Sequence, residues 1–392
     1  MKKQIQELLM QLCPKGIKHQ ELSNICIVKK GYQILDEDIK ENGKYPILHD
    51  KVNDLVYSDK FNATNAITVI SKGLQAGTVS YVNDSFWCGA NAYYIEIEDE
   101  NISPKYLYYY LKNKEQEFID LLKSNTKTTI LQKNVIDNVI TAIPPMEIQE
   151  EIINAIDKLT IEKIEYEKSI EKELEVLELK CREEQQKLLM FDDKDTYVKL
   201  NDIATICKGE TPRPLSKYIT NDLNSFNYVK SSDINKKNKY ITITKEKISI
   251  EGSKKSKLAK IGTIIISNSI DYNKPYIMKI EGYINDALIL ISDFDKTFKA
   301  EFLYYILCTN SIINSINNSI LAKNAKNIGV NVIKSLNIPI IPFDKQSSII
   351  SELDKIDKKY INLAKKLSKD LEKHLIQYET QKRRLLTFRK LS

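Results

Sequence analysis

Two kinds of hydrophobic period run along this chain. The first is short: β-branched and aromatic runs at 66–70 and 263–266, and again at 92–97 and 287–291, are bounded by turn residues and predict strands. Longer apolar stretches, 104–122 opened by Ser103-Pro104 and 300–316, predict helices that follow them. The second period is long. After the proline stops Ile143-Pro144-Pro145 and Ile338-Pro339-Ile340-Ile341-Pro342, apolar residues recur mostly at steps of four and three for about five heptads. In the first stretch these are Ile152, Ile156, Leu159, Tyr166, Ile170, Leu174, Leu177, Cys181, Leu188 and Phe191. In the second they are Ile349, Leu353, Ile356, Tyr360, Leu363, Leu367, Leu371, Tyr378, Leu385 and Phe388. The pattern predicts two mixed bodies, each followed by one long helix with a coiled-coil seam.

The two body-plus-helix segments are copies of each other. Glu21–Gly31 matches Lys199–Gly209; 106–111 matches 302–307; Asn134-Val135-Ile136 matches Asn331-Val332-Ile333. Pro145, Gln149, Ile152, Ile153 and Asp157 match Pro342, Gln346, Ile349, Ile350 and Asp354, and 188–191 matches 385–388. The offset is 178 at the start, 196 in the middle and 197 from Asn134 onward, so one gap of about 18 residues between Gly31 and Ile67 accounts for nearly all the change. A repeat of this length decides the architecture.

The helical segments differ in charge. Residues 158–191 carry 7 basic and 9 acidic side chains, whereas 355–388 carry 10 basic and 4 acidic. Complementary charge beside an apolar seam favours pairing of the two helices with each other. Because each follows its own body, the expected pairing is antiparallel, with the bodies related by a pseudo-two-fold axis. The fold class expected is therefore α+β: two similar mixed α/β domains separated by two long helices in an antiparallel coiled coil. Two related but unlike readers held apart by a stiff rod suit a double helix, whose half-sites recur every 34–36 Å. Such a reader predicts a bipartite, asymmetric target with a central gap.

Composition narrows the chemistry. The net charge of +6 and pI of about 8.6 permit nucleic-acid binding without requiring it. The six cysteines (Cys13, Cys26, Cys88, Cys181, Cys207, Cys308) are scattered, so neither a zinc site nor a disulfide framework is expected, and a cytoplasmic location fits. No apolar run approaches bilayer length, and no membrane partner is expected. There is no phosphate loop and no GxGxxG. Ala142-Ile143-Pro144-Pro145-Met146 lacks both the amide or acid and the aromatic that flank the paired prolines of adenine methyltransferases. No Asp…Glu-x-Lys set suggests a nuclease, and with three histidines there is little for acid–base chemistry. No catalytic residue, no metal site and no cofactor of its own are expected.

The ordered, duplicated motifs resemble the specificity subunit of type I restriction–modification systems. Leu12-Cys13-Pro14-Lys15-Gly16-Ile17 followed by 21–31, then 43–47, 71–79 with Phe86-Trp87, and the Pro-x-x-x-Gln link into each long helix carry the likeness. It spans essentially the whole chain; the second copy departs from it in having no Gly-x-x-x-Gly where the first has Gly73 and Gly77. The resemblance implies a first target-recognition domain over 1–145, a spacer helix over 146–192, a second recognition domain over 193–342 and a second spacer helix over 343–392. It implies double-stranded DNA as ligand, two adenine-methylating modification subunits as partners with S-adenosylmethionine bound by them, and restriction subunits as further partners. A specificity subunit of a combined methylating and cutting (type IIB-like) enzyme, and a coiled-coil scaffold that binds protein only, are the alternatives.

Three loop classes are the candidate DNA contacts, because lysine and arginine supply phosphate affinity while polar side chains read base edges. The first is the Lys-Gly turn: Lys29 and Lys30 in one copy, Lys208 with Arg213 in the other. The second is the interior loop after a buried strand: Ser71, Lys72 and Gln75, against Ser267, Asn268 and Ser269. The third precedes the Asn-Val-Ile segment: Thr126 and Lys127, against Lys323 and Lys326. Lys236, Lys237 and Lys239 form a lysine cluster in the longer second copy, and Trp87 is expected in the core rather than as a stacking platform.

Overall fold

The computed structural model describes residues 2–48, 56–124, 130–191, 196–234, 238–269, 275–322 and 327–388. The chain divides into two compact units: Met1–Glu171 with Ser368–Ser392, and Lys172–Leu367.

Unit 1 opens with α1 (Lys2–Leu12) and β1 (Lys18–Glu21). Its sheet is built from β2 (Cys26–Lys30), β3 (Tyr45–Leu48), β4 (Tyr57–Ser58), β5 (Ala63–Ile70), β6 (Val79–Cys88) and β7 (Ala92–Ile97). These six strands lie in the order β2-β7-β5-β6-β3-β4, antiparallel except for the β6–β3 pair. The central strand β5 is buried at Ala66, Ile67, Thr68, Val69 and Ile70, which is why it reads as a continuous apolar run rather than an alternation. Then come α2 (Pro104–Asn113), α3 (Glu115–Ser124), α4 (Lys133–Asp137) and β8 (Ile140–Ile143), the last pairing with β1. The apolar stretch 104–122, expected as one helix, is broken at Lys114. The Glu115 carboxylate, held by Lys112 Nζ at 2.6 Å, accepts the Val79 backbone N–H at 2.6 Å, so α3 starts where it ties down the head of β6.

The long helix α5 (Met146–Leu188) begins in unit 1 and ends in unit 2. Unit 2 then runs β9 (Tyr197–Lys199), α6 (Leu200–Ile203), β10 (Thr205–Lys208), β11 (Phe226–Val229), β12 (Tyr240–Ile241), β13 (Glu246–Ile248), α7 (Ile250–Ser253) and β14 (Lys257–Ala259). It continues with β15 (Ile264–Ser267), β16 (Tyr276–Met278), β17 (Gly282–Ile284), β18 (Leu288–Ser292), α8 (Ala300–Leu307), α9 (Asn310–Ala322), α10 (Val330–Lys334) and β19 (Asn337–Pro339). The stretch 300–316, expected as one helix, is also two: Thr309 turns both its N–H and its hydroxyl back to the Ile306 carbonyl and closes α8. The last element, α11 (Phe343–Leu386), ends in unit 1.

The internal repeat is exact at the level of register. Glu21 pairs with Ile140 and Lys199 with Asn337. Lys29 pairs with Tyr94 and Cys207 with Leu290; Ile67 pairs with Ile95 and Ile264 with Ile291. A one-residue slip would turn each buried face outward, so identical register marks identical cores. The copies part at β6. In unit 1 it is one strand of ten residues, whereas in unit 2 its counterpart is split into β16 and β17. The strands divide with it, into a five-stranded sheet β10-β18-β15-β16-β12 and a four-stranded sheet β13-β11-β17-β14.

Each body is locked to the long helix that follows it by a buried glutamine. Gln149 donates to the carbonyls of Asn101 and Pro144, both at 2.8 Å, and accepts the Ser103 N–H at 2.9 Å. Gln346 donates to Thr297 and Ile341 at 2.7 and 2.8 Å and accepts the Lys299 N–H at 2.9 Å. Both are 0% exposed, and each buried amide has its donors and its acceptor engaged by three backbone groups. This is the physical content of the Pro-x-x-x-Gln pattern. About two helical turns later, Asp157 accepts from Tyr109 and Lys105, and Asp354 accepts from Tyr305 and Lys239.

The helices pair antiparallel inside each unit. In unit 1 the Thr160 hydroxyl meets that of Tyr378 at 3.1 Å, and Tyr166 stacks on His374 with centroids 4.0 Å apart. Leu386 is buried with Ile152, Ile156 and Tyr106, and Phe388 packs against them. In unit 2 Glu184 accepts from Lys359 and Tyr360, each at 2.8 Å, and Gln185 donates to Asp357 at 2.7 Å. Leu189 is buried with Leu353, and Phe191 meets Phe302 edge-on at 6.3 Å. The matched segments 188–191 and 385–388 are thus matched because each fills the same pocket in the other copy's body.

Candidate nucleic-acid interface

The Lys-Gly turn has the same build in both units. A Cβ on Gly31 would sit 2.2 Å from the Gly89 carbonyl oxygen, and one on Gly209 would sit 2.1 Å from that of Asn285. The residues that follow repeat the match: Tyr32 N–H donates to Cys88 O and Glu210 N–H to Ile284 O. The glycines therefore serve close backbone approach. The lysines before them are exposed, but not equally available. Lys29 is paired with Glu96 at 2.6 Å, which raises its pKa through that hydrogen bond, while Lys30 and Lys208 point into solvent. Trp87 is half-buried and its indole N–H donates to the Tyr32 carbonyl at 2.9 Å, so it braces this turn.

The interior loop of unit 1 joins β5 to β6. Gly73 and Gly77 take φ of 104° and 95°, and Gly77 presses on Ile119 of α3. Backbone bonds from Gly77 to Ile70, Ala76 to Gly73 and Thr78 to Gln75 close the loop on itself. Lys72 is exposed at its rim, Gln75 is half-buried and Leu74 is fully exposed. Ser71 corrects an expectation: it is 3% exposed, so its hydroxyl does not face solvent and the residue acts through its backbone. Its N–H donates to Asn91 O at 2.7 Å, and its carbonyl accepts the Leu131 N–H at 2.8 Å.

Unit 2 repeats this arrangement. Asn268 N–H donates to Ala287 O at 2.9 Å, and Asn268 O accepts the Ile328 N–H at 2.8 Å. Ser269 forms an antiparallel bridge with Asn327, and Ser267 Oγ accepts the Ser269 N–H at 3.3 Å. The structure thus joins the interior loop to the residues just after the third candidate loop in both units. Thr126 and Lys127 (with Asn125 and Thr128), and Lys323 and Lys326 (with Asn324), lie outside the described residues, as do Lys236 and Lys237. Lys239 is not a surface cation. It is only 11% exposed, 3.1 Å from Asp354 and 4.1 Å from the centre of the Tyr305 ring, a cation built into the base of α11.

Around Arg213 the first two loop classes of unit 2 meet. Its guanidinium lies 3.7 Å from the Asp286 carboxylate. Thr211 donates to Asp286 Oδ1 at 2.7 Å and accepts the Asp286 N–H at 3.1 Å, and Asn268 Nδ2 donates to the Asp286 carbonyl at 3.1 Å. Sequence reasoning missed Asp286 and Thr211. The signal available was that Ala90 occupies the place of Asp286 in the first copy, a change of character at a position where the scaffold does not change.

Among the described residues no group of histidine, cysteine and acidic side chains is arranged to hold a metal, and no helix is long and apolar enough to cross a membrane.

Against known proteins, residues 14–176 and 193–373 each match the family described as Type I restriction modification DNA specificity domain. A protein of Mycoplasma pneumoniae described as a type I specificity subunit is 28% identical over 143 residues, which is 34% of this chain and 44% of that one. The match thus spans less than half the length of that relative. A type I restriction enzyme specificity subunit of Haemophilus influenzae is 25% identical over 335 residues, 81% of this chain and 80% of its own. A solved structure from a type I restriction–modification system shares the fold, with a TM-score of 0.63 at 14% identity over 95% of this chain and 98% of that one. With two matches that together cover most of its length, the chain belongs to the type I restriction–modification DNA specificity family and carries that family's domain twice.

Proposed function

We propose that this chain is the non-catalytic, sequence-reading subunit of a type I restriction–modification complex. Each unit reads one half of a bipartite, asymmetric DNA site, and the bases between the halves are not read. The observation that carries this reading is the combination of one scaffold, repeated to the residue in strand register and in the Gln149 and Gln346 anchors, with loops that differ between the copies. A structural repeat with unlike loops is what two related readers of two different sequences require.

On this reading the chain binds no cofactor. Two modification subunits, each supplying S-adenosylmethionine, methylate adenines in the site, and restriction subunits join the same assembly. The site residues are Lys30, Lys72 and Gln75 in unit 1 and Lys208, Arg213, Ser267, Asn268 and Ser269 in unit 2, with Lys29, Thr126, Lys127, Lys323 and Lys326 contributing positive or polar edges. Lysines gain affinity by displacing condensed counterions and carry no sequence information. Mapping methylated adenines in genomic DNA, with and without this chain beside its modification subunit, tests the proposal. A two-part motif that disappears on deletion is expected; an unchanged methylation pattern contradicts it.

A further inference from the structure

Arg213 is 84% exposed, and among the described residues its guanidinium has one charged neighbour, Asp286, at 3.7 Å. That distance is beyond a hydrogen bond, so the N–H fork stays open while its direction is biased. Asp286 itself is held by hydrogen bonds. Thr211 holds its carboxylate from one side and its backbone N–H from the other, at 2.7 and 3.1 Å, and Asn268 holds its carbonyl at 3.1 Å. The hydroxyl of Tyr228, whose ring is buried, donates in turn to Thr211 at 3.4 Å. A chain of contacts from the core thus fixes a carboxylate beside a surface arginine.

This arrangement is poor for a phosphate and good for a base edge. A carboxylate this close offsets part of the arginine's charge and repels a phosphate anion. It costs far less against a neutral acceptor pair, and it restricts a long side chain before binding, which lowers the entropy lost on contact. The acceptor pair that matches a guanidinium fork is O6 and N7 of guanine in the major groove. We infer that Arg213, positioned by Asp286, reads a guanine, so that a G·C pair is a required position in the half-site of unit 2. The inference rests on the chain being a DNA reader. Unit 1 has Ala90 at the corresponding position and carries no such carboxylate, so the device belongs to one half-site only.

The test uses the chain assembled with its modification subunit and maps the methylated motif for the wild type, Arg213→Ala and Asp286→Asn, with thermal melting alongside. The wild type is expected to require a G·C pair in one half-site. Arg213→Ala should release that pair alone, lowering discrimination about 5- to 150-fold there, with the other positions and the melting curve unchanged. Asp286→Asn should loosen the same pair by less and leave the others intact. If Arg213→Ala weakens modification uniformly and flattens the salt dependence, the arginine is a phosphate contact and the inference is overturned. Release of an A·T pair overturns it as well. A wild type with no two-part motif sinks the underlying DNA-reading proposal, an outcome distinct from either.

Discussion

Unit 1 and unit 2 share their central strands, their helices and their glutamine anchors, and differ in the strand that follows the interior loop and in the segment between the Lys-Gly turn and the central strand. In unit 1, β6 runs unbroken from Val79 to Cys88, and one six-stranded sheet carries the body. In unit 2 the corresponding stretch breaks after Met278 and resumes at Gly282, and the longer segment between Gly209 and Ile264 supplies β11, β13 and β14 to a second, four-stranded sheet built with β17, and β12 to the edge of the first. What stays constant is the ground on which the loops stand: the glycine pressed on a carbonyl, the Ser71 and Asn268 backbone bonds, and the buried glutamine. What varies is the side chains placed on that ground. The lesson is that this scaffold tolerates about 18 added residues in the body without disturbing the register of its central strands, because the longer segment goes to a second sheet and to the edge strand β12 rather than between the central strands.

The largest effects should come from the invariant features. Gly31→Ala and Gly209→Ala each put a carbon within about 2 Å of a backbone oxygen, which backbone atoms cannot yield to without moving a strand. Each is expected to destabilise its own unit by about 3 kcal/mol or more, read as protease cleavage confined to that unit. Equal cleavage in both units would contradict the independence of the two bodies. Next come Gln149→Ala and Gln346→Ala, which leave one N–H and two carbonyls in each body without partners and should cost about 2–4 kcal/mol. The two losses should be alike in thermal melting; a loss at one site only would show that the anchors are not equivalent.

Smaller effects test the helix pairing. In unit 2 the hydrogen bonds from Lys359 and Tyr360 hold the Glu184 carboxyl below its ordinary value. A depressed carboxylate contributes stability that is present above the ordinary glutamate range and is lost as the pH falls through the lowered value. Acid should therefore loosen this helix pair, and Glu184→Gln should flatten that acid dependence; an unaltered acid limb argues against the contact. The least effect concerns the thiols. Burial pushes Cys26 and Cys88 up to about 12, so both remain thiols at neutral pH. Alkylation of either in the native chain should be far slower than in denaturant, whereas comparable rates would mean that these strands open readily.

Much of this fold is legible in the sequence, and the reason is duplication. One copy of Pro145-to-Gln149 is an unremarkable string; two at a constant offset identify an anchor whose purpose is then visible in its three hydrogen bonds. The long helices and the central strands are likewise written in periodicity. The breaks at Lys114 and Thr309 are not, because they depend on a carboxylate reaching a distant strand and on a hydroxyl turning back to its own helix. Ser71 misled for a related reason: a small polar residue after a buried strand has the composition of a loop tip but lies below it, its hydrogen bonds being those of the backbone. Asp286 escaped notice because its importance lies in Thr211, Asn268 and Arg213 meeting there, and those are far apart in the chain.

The central claim is that one scaffold used twice reads two different half-sites. The most direct measurement is the methylated motif of the complete complex carrying Gln75→Ala in unit 1, compared with the wild type. The account predicts that one base position in one half relaxes while the other half and the gap length stay as they were. A change in both halves at once, or an altered gap, would contradict it.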